Sequence, residues 1–145
     1  MEQKDTRWEQ RFANFKKALA KLGEVAEKGN IDDLSELEKE GMIQRFEYSF
    51  ELAWKTLQDI LLYKGYQDIA GPNPVLEQSL KDGYITDEMQ WRKMKKSREL
   101  TSHTYNSDTA DDIAKNIAAE YYKLLKTLEQ RLEAERGGKQ TSIFE

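Results

Sequence analysis

Arg98, His103 and Tyr105 stand close together in the string SRELTSHTY. A guanidinium offers a planar fork of donors that matches the oxygens of a phosphate, and imidazole is the side chain best suited to exchange a proton near neutral pH. Together they can hold a phosphodiester and take a proton from a ribose 2′-hydroxyl, the guanidinium meeting the negative charge that builds on the phosphoryl oxygens. Such a scheme needs no metal or cofactor, and none is expected. The chain has one His and no Cys, which leaves out thiolate zinc sites, thiol nucleophiles and disulfides. The plainer reading of a lone His is a hydrogen-bonded structural residue.

The helix that carries Arg98 departs from its own pattern. Trp91 and Met94 start an apolar stripe, yet the same face continues through Arg98, Thr101 and Ser102. An unpaired charge beside a core is costly, so Arg98 is expected to line a pocket or a subunit junction. Just before it, WRKMKKSR carries five cations and no anion until Glu99. That run is either a solvated helix face or a guide for a polyanion. Arg92, Lys95 and Lys96, with Ser102, are the candidate nucleotide- or RNA-binding residues. Glu47 and Glu51, one turn apart on an earlier helix, either orient Arg98 or a nucleotide or stand as solvated carboxylates. A net charge of −4 excludes binding of nucleic acid over the whole surface, which needs a broad basic footprint.

The elements that must position these groups are helices. Both prolines lie in GPNP, so helices can run unbroken on either side of it. Trp8, Phe12, Phe15, Leu19, Leu22 and Ala26 step by four and three along a first helix, with Thr6 and Glu9 as a possible capping box. Ser35 and Glu38 offer a second box, opening a long helix whose stripe is Met42, Phe46, Phe50, Trp54 with Ala53, Leu57 and Leu61, and which Gly65 can stop. A short helix is expected over 74–81, ended near Gly83. A fourth, capped by Thr86 or Asp87, runs through Trp91 toward His103. Thr109 and Asp112 form a capping box for the last, whose stripe is Ile113, Ile117, Tyr121, Leu124, Leu128 and Leu132. The expected fold is therefore all-α, an antiparallel four-helix bundle with an additional short helix, forming a single domain over 1–136 with a flexible tail over 137–145. Tyr48, Tyr63, Tyr66, Tyr121 and Tyr122 are more surface aromatics than a monomer needs, which points to a homodimer. The N-terminus MEQKDTRWEQ lacks a secretory leader's apolar stretch, and no apolar run approaches the ~20 residues that span a bilayer. A cytoplasmic protein with no membrane partner is expected.

The motif Arg98-x4-His103-x-Tyr105 resembles the signature of the HEPN superfamily, small helical nucleotide-binding proteins of prokaryotes and higher eukaryotes. The stretch IQRFEYSFELAWKTLQDIL over 43–61 and the following GPNPVLEQSLKDGYI resemble the nucleotidyltransferase substrate-binding branch. The resemblance implies a dimerising helical bundle encoded beside a minimal nucleotidyltransferase. It also implies one of two activities: a substrate- or nucleotide-binding subunit of a two-part nucleotidyltransferase, or a toxin with metal-independent RNase activity restrained by that partner. On the second, Arg98 would steady the scissile phosphate, His103 would act as general base or acid, and Tyr105 would accept AMP from the partner. Many RNase members have Asn after the Arg, where this chain has Glu99, which could pair with Arg98 or repel RNA.

Overall fold

The computed structural model describes residues 6–28 and 30–141. Ser35 opens the longest helix with a full reciprocal cap: its Oγ accepts from the Glu38 N–H at 3.1 Å, and the Glu38 carboxylate accepts from the Ser35 N–H at 2.9 Å. That helix, α2 (Glu36–Tyr63), lies antiparallel to α1 (Arg7–Ala26). It ends as Gly65 turns to φ +100°, with the N–H groups of Gly65 and Tyr66 closing on the carbonyls of Leu62 and Leu61. The same closure at Gly83 ends α3 (Pro72–Lys81), whose first turn holds both prolines. Helix α4 (Glu88–Leu100) is capped by the Asp87 carboxylate and runs into a 3₁₀ turn, Thr101–His103. Helix α5 (Ser107–Asn116) continues through a π-helical turn, Ile117–Tyr121, into α6 (Tyr122–Thr141).

The apolar stripes close on one another. Trp8, Phe12, Phe15, Leu19 and Leu22 of α1 meet Met42, Phe46, Phe50, Leu57 and Leu61 of α2 in one buried cluster, completed by Trp91 and Met94 and by Ile113, Ile117, Tyr121, Leu128 and Leu132. Burial of this area, at roughly 25 cal/mol per Å² of apolar surface, drives the fold. The architecture is the all-α bundle that the stripes predict, and no strand occurs among the described residues. Nor is any helix among them long and apolar enough to cross a membrane.

Five local expectations are corrected. Thr6 is the N-cap of α1 but makes no side-chain cap bond. Helix α5 is capped by Asn106 rather than Thr109, because the Asn106 carboxamide accepts from the N–H groups of Asp108 and Thr109 and so starts the helix earlier. The π turn, with its wider i→i+5 spacing, keeps steps of four on the buried face, so Leu125 rather than Leu124 joins the core. Tyr121 is fully buried and adds nothing to the aromatic surface. The last helix also passes beyond residue 136, its backbone remaining helical to Thr141, while residues 142–145 of the expected tail lie outside the described ones.

Candidate active site

Helix α4 is fixed from below by Tyr121. This phenol stacks on Phe46 with ring centroids 5.5 Å apart and donates to the Lys93 carbonyl at 3.3 Å, leaving the buried Ser97 hydroxyl to donate to its oxygen at 2.6 Å. Burial pushes the Tyr121 phenol above its ordinary pKa. With Ser97 pinned inward, the next residue points along the seam with α2. Arg98 Nε lies 3.3 Å from Glu51 and Nη1 3.5 Å from Glu47, and Nη1 donates to the Thr101 hydroxyl at 3.0 Å. Glu51 is itself oriented by the Trp54 indole N–H at 3.1 Å. Nε sits at ion-pair distance from Glu51 without hydrogen-bond alignment, and it has no hydrogen-bond partner among the described residues.

The Arg98 side chain stays 30% exposed and each glutamate 34%, so these ion pairs are solvent-screened and weak. Of the alternatives open for Glu47 and Glu51, the observed one is that both carboxylates face Arg98. An arriving phosphate would compete with two carboxylates for one guanidinium.

The other half of the motif is open. After the 3₁₀ turn, the Asn106 N–H closes on the His103 carbonyl at 3.2 Å, and this tight bend places two rings side by side. The Tyr105 hydroxyl lies 3.4 Å from His103 Nδ1, with the rings edge-on at 73°. Tyr105 is 85% exposed. It walls a cleft of about 400 Å³ whose far side is Glu36, Lys39 and Glu40 of α2. Within the cleft Lys39 pairs with Asp111 at 2.9 Å, and the hydrogen bond to that carboxylate holds the ammonium pKa above its usual value. Among the described residues, no hydrogen bond or ion pair joins Arg98 to His103 or Tyr105.

The basic run is largely paired. Arg92 meets Glu88 at 3.3 Å, Lys93 meets Glu120 at 3.0 Å, and Lys95 meets Glu99 at 2.6 Å. Glu99 thus takes Lys95 and not Arg98. That hydrogen bond, with the charges of Lys95 and Lys96, lowers its pKa. Lys96 has no hydrogen bond or ion pair among the described residues, and the Ser102 hydroxyl donates to the Glu99 carbonyl at 3.2 Å. One supporting neighbour was not singled out from sequence for this place, Tyr121 under Ser97. The place of Tyr121 on the apolar stripe of the last helix was the available signal. No group of three or more potential metal ligands clusters among the described residues.

Residues 10–134 match the family described as nucleotidyltransferase substrate binding protein like. The chain belongs to that family. A Haemophilus influenzae protein named probable ribonuclease HepT is 33% identical over 98 residues, which are 63% of this chain and 67% of that protein. A crystal structure of a Thermus thermophilus protein superposes with a TM-score of 0.72 at 37% identity, covering 81% of this chain and 98% of that one. A Haemophilus influenzae structure, described as revealing the fold of a substrate binding domain of a nucleotidyltransferase, superposes with a TM-score of 0.61 at 22% identity. It covers 88% of this chain and 98% of its own, and shows the shared fold. The substrate-binding-protein-like region runs from α1 into α6 and includes the seam holding Arg98 and the turn presenting His103 and Tyr105.

Proposed function

We propose that the protein is a cytoplasmic HEPN-type toxin, a metal-independent endoribonuclease whose activity is restrained when a minimal nucleotidyltransferase transfers AMP to Tyr105. In this reading His103 takes the proton of a ribose 2′-hydroxyl, and the freed oxygen attacks the adjacent phosphorus. The bond to the 5′-oxygen breaks, leaving a 2′,3′-cyclic phosphate, and the departing oxygen is protonated by a general acid. The exposed part of the Arg98 fork meets the charge of the pentacoordinate phosphate, and Lys96 draws the polyanion along α4. The exposed tyrosines Tyr48 and Tyr63 fit a homodimer that brings two such sites to one cleft.

The observation that carries the reading is the exposed His103 and Tyr105 pair, presented on a bend that directly follows the helix holding Arg98. The relative named as a probable ribonuclease supports it. The test is incubation of the purified protein with RNA in EDTA beside His103→Ala and Arg98→Ala. Cleavage by the wild type that both variants lose is the expected result.

A second reading, a non-catalytic subunit that presents a nucleotide to the nucleotidyltransferase, is favoured by the two carboxylates already on Arg98 and by Glu99 in place of Asn. Absence of cleavage by any of the three proteins, with retained nucleotide binding, would establish it.

A further inference from the structure

We infer that His103 is the general base that activates Tyr105 as an AMP acceptor, so that one imidazole serves both RNA cleavage and its own silencing. The inference rests on the reading of Tyr105 as the modified residue. A phenol is a poor nucleophile until its proton is removed, and a base qualifies by lying within reach of that proton. Among the described residues the only side-chain atom hydrogen-bonded to the Tyr105 oxygen is His103 Nδ1, at 3.4 Å. Glu36 and Glu40 line the same cleft but make no hydrogen bond to that oxygen, and Asp111 is held by Lys39. For Nδ1 to accept, the ring proton sits on Nε2, which fixes the tautomer.

The transfer balances. Nδ1 takes the phenolic proton as the Tyr105 oxygen attacks the α-phosphorus of a nucleoside triphosphate held by the nucleotidyltransferase. The O–P bond forms, the bond from the α-phosphorus to the bridging oxygen breaks, and pyrophosphate leaves with the electron pair. The proton then passes from His103 to solvent. Aryl phosphodiester formation removes the hydroxyl that occupied Nδ1 and leaves an anion beside the imidazole. RNA cleavage and AMP transfer therefore draw on the same imidazole, and cleavage substrate bound at the site should slow modification.

The test measures AMP on Tyr105 by peptide mass mapping in two arms, one with the nucleotidyltransferase and ATP, the other with adenosine 5′-phosphorimidazolide and no partner. His103→Ala is expected to label about 10²-fold more slowly in both, with added imidazole restoring part of the rate. Glu36→Gln and Glu40→Gln should label like wild type. His103 and Tyr105 are exposed, so unchanged far-UV spectra and partner binding separate loss of a base from loss of fold. Labelling of His103→Ala at the wild-type rate in the partner-free arm, or slowing by Glu36→Gln or Glu40→Gln instead, overturns the inference. If the phosphorimidazolide arm depends on His103 while the partner leaves wild-type Tyr105 unlabelled, the base role stands and the reading of Tyr105 as the partner's target fails.

Discussion

Arg98 and His103 belong to one short motif, yet the structure treats them in opposite ways. Arg98 rides on a helix locked by Ser97 and Tyr121, and its guanidinium is met by Glu47, Glu51 and Thr101. His103 stands on a solvent-facing bend with a phenol as its sole side-chain hydrogen-bond partner among the described residues. One half of the motif is held by neighbouring side chains and the other stands open to solvent. A shared sequence signature therefore does not mean a shared energetic role, and the two halves should fail differently.

The sharpest way to separate them is to damage the support of one half only. Phe46 is fully buried and stacked on Tyr121, so Phe46→Ala should cost about 3–5 kcal/mol through lost transfer energy and a residual cavity, read by urea unfolding. His103→Ala should do the reverse, lowering RNA cleavage about 10²-fold while shifting stability by less than about 0.5 kcal/mol. An unfolding cost for His103→Ala approaching that of Phe46→Ala would erase the contrast.

A pH test probes the bundle away from both halves, where Tyr122 donates to Glu27 at the end of α1. Burial, with help from Glu27, pushes the Tyr122 phenol up to about 12. The unfolded chain then loses this proton first, at its ordinary value near 10, so stability from this group is complete below about pH 10 and falls as pH rises toward about 12. The slope is at most about 1.4 kcal/mol per pH unit. Tyr122→Phe should remove that slope in alkaline unfolding curves and leave cleavage at neutral pH unchanged. The smallest expected effect tests whether the carboxylates hold Arg98 back from phosphate. Glu47→Gln with Glu51→Gln should raise affinity for a non-cleavable 2′-deoxy oligonucleotide by an amount worth about 1 kcal/mol or less, as partly exposed ion pairs allow. Unchanged affinity would mean that the fork never meets the strand.

Much of the bundle was legible because burial leaves a periodic trace. The stripe from Met42 to Leu61 and the Ser35 and Glu38 cap could be read directly, since each depends on residues within a few turns of one another. The start of α5 was harder, because Asn106 and Thr109 are both good caps and only the observed bend selects Asn106. The slip from Leu124 to Leu125 had no local sign, since a π turn and an α turn use the same residue types. At the site, the spacing of the motif was legible, but the exposure of its two rings was not, since it depends on the bend after the 3₁₀ turn. The contact of Glu47 and Glu51 with Arg98 was only one of the open alternatives, because it joins residues about fifty positions apart. The pairing of Glu99 with Lys95 follows the i, i+4 rule for helix charges.

The π turn has a consequence for how the chain tolerates editing. A wider turn absorbs one surplus residue without changing the direction in which later side chains face. Deleting Ala118 or Ala119 would therefore let the backbone relax to ordinary winding, and Tyr121, Leu125, Leu128 and Leu132 would still meet the core after a one-residue shortening of the path. The same excision in the middle of α2, which has no such slack, would rotate everything beyond the cut by about 100°. Leu57 and Leu61 would then swing outward together. Of two helices that supply the core side by side, one carries a spare residue and the other has none to lose.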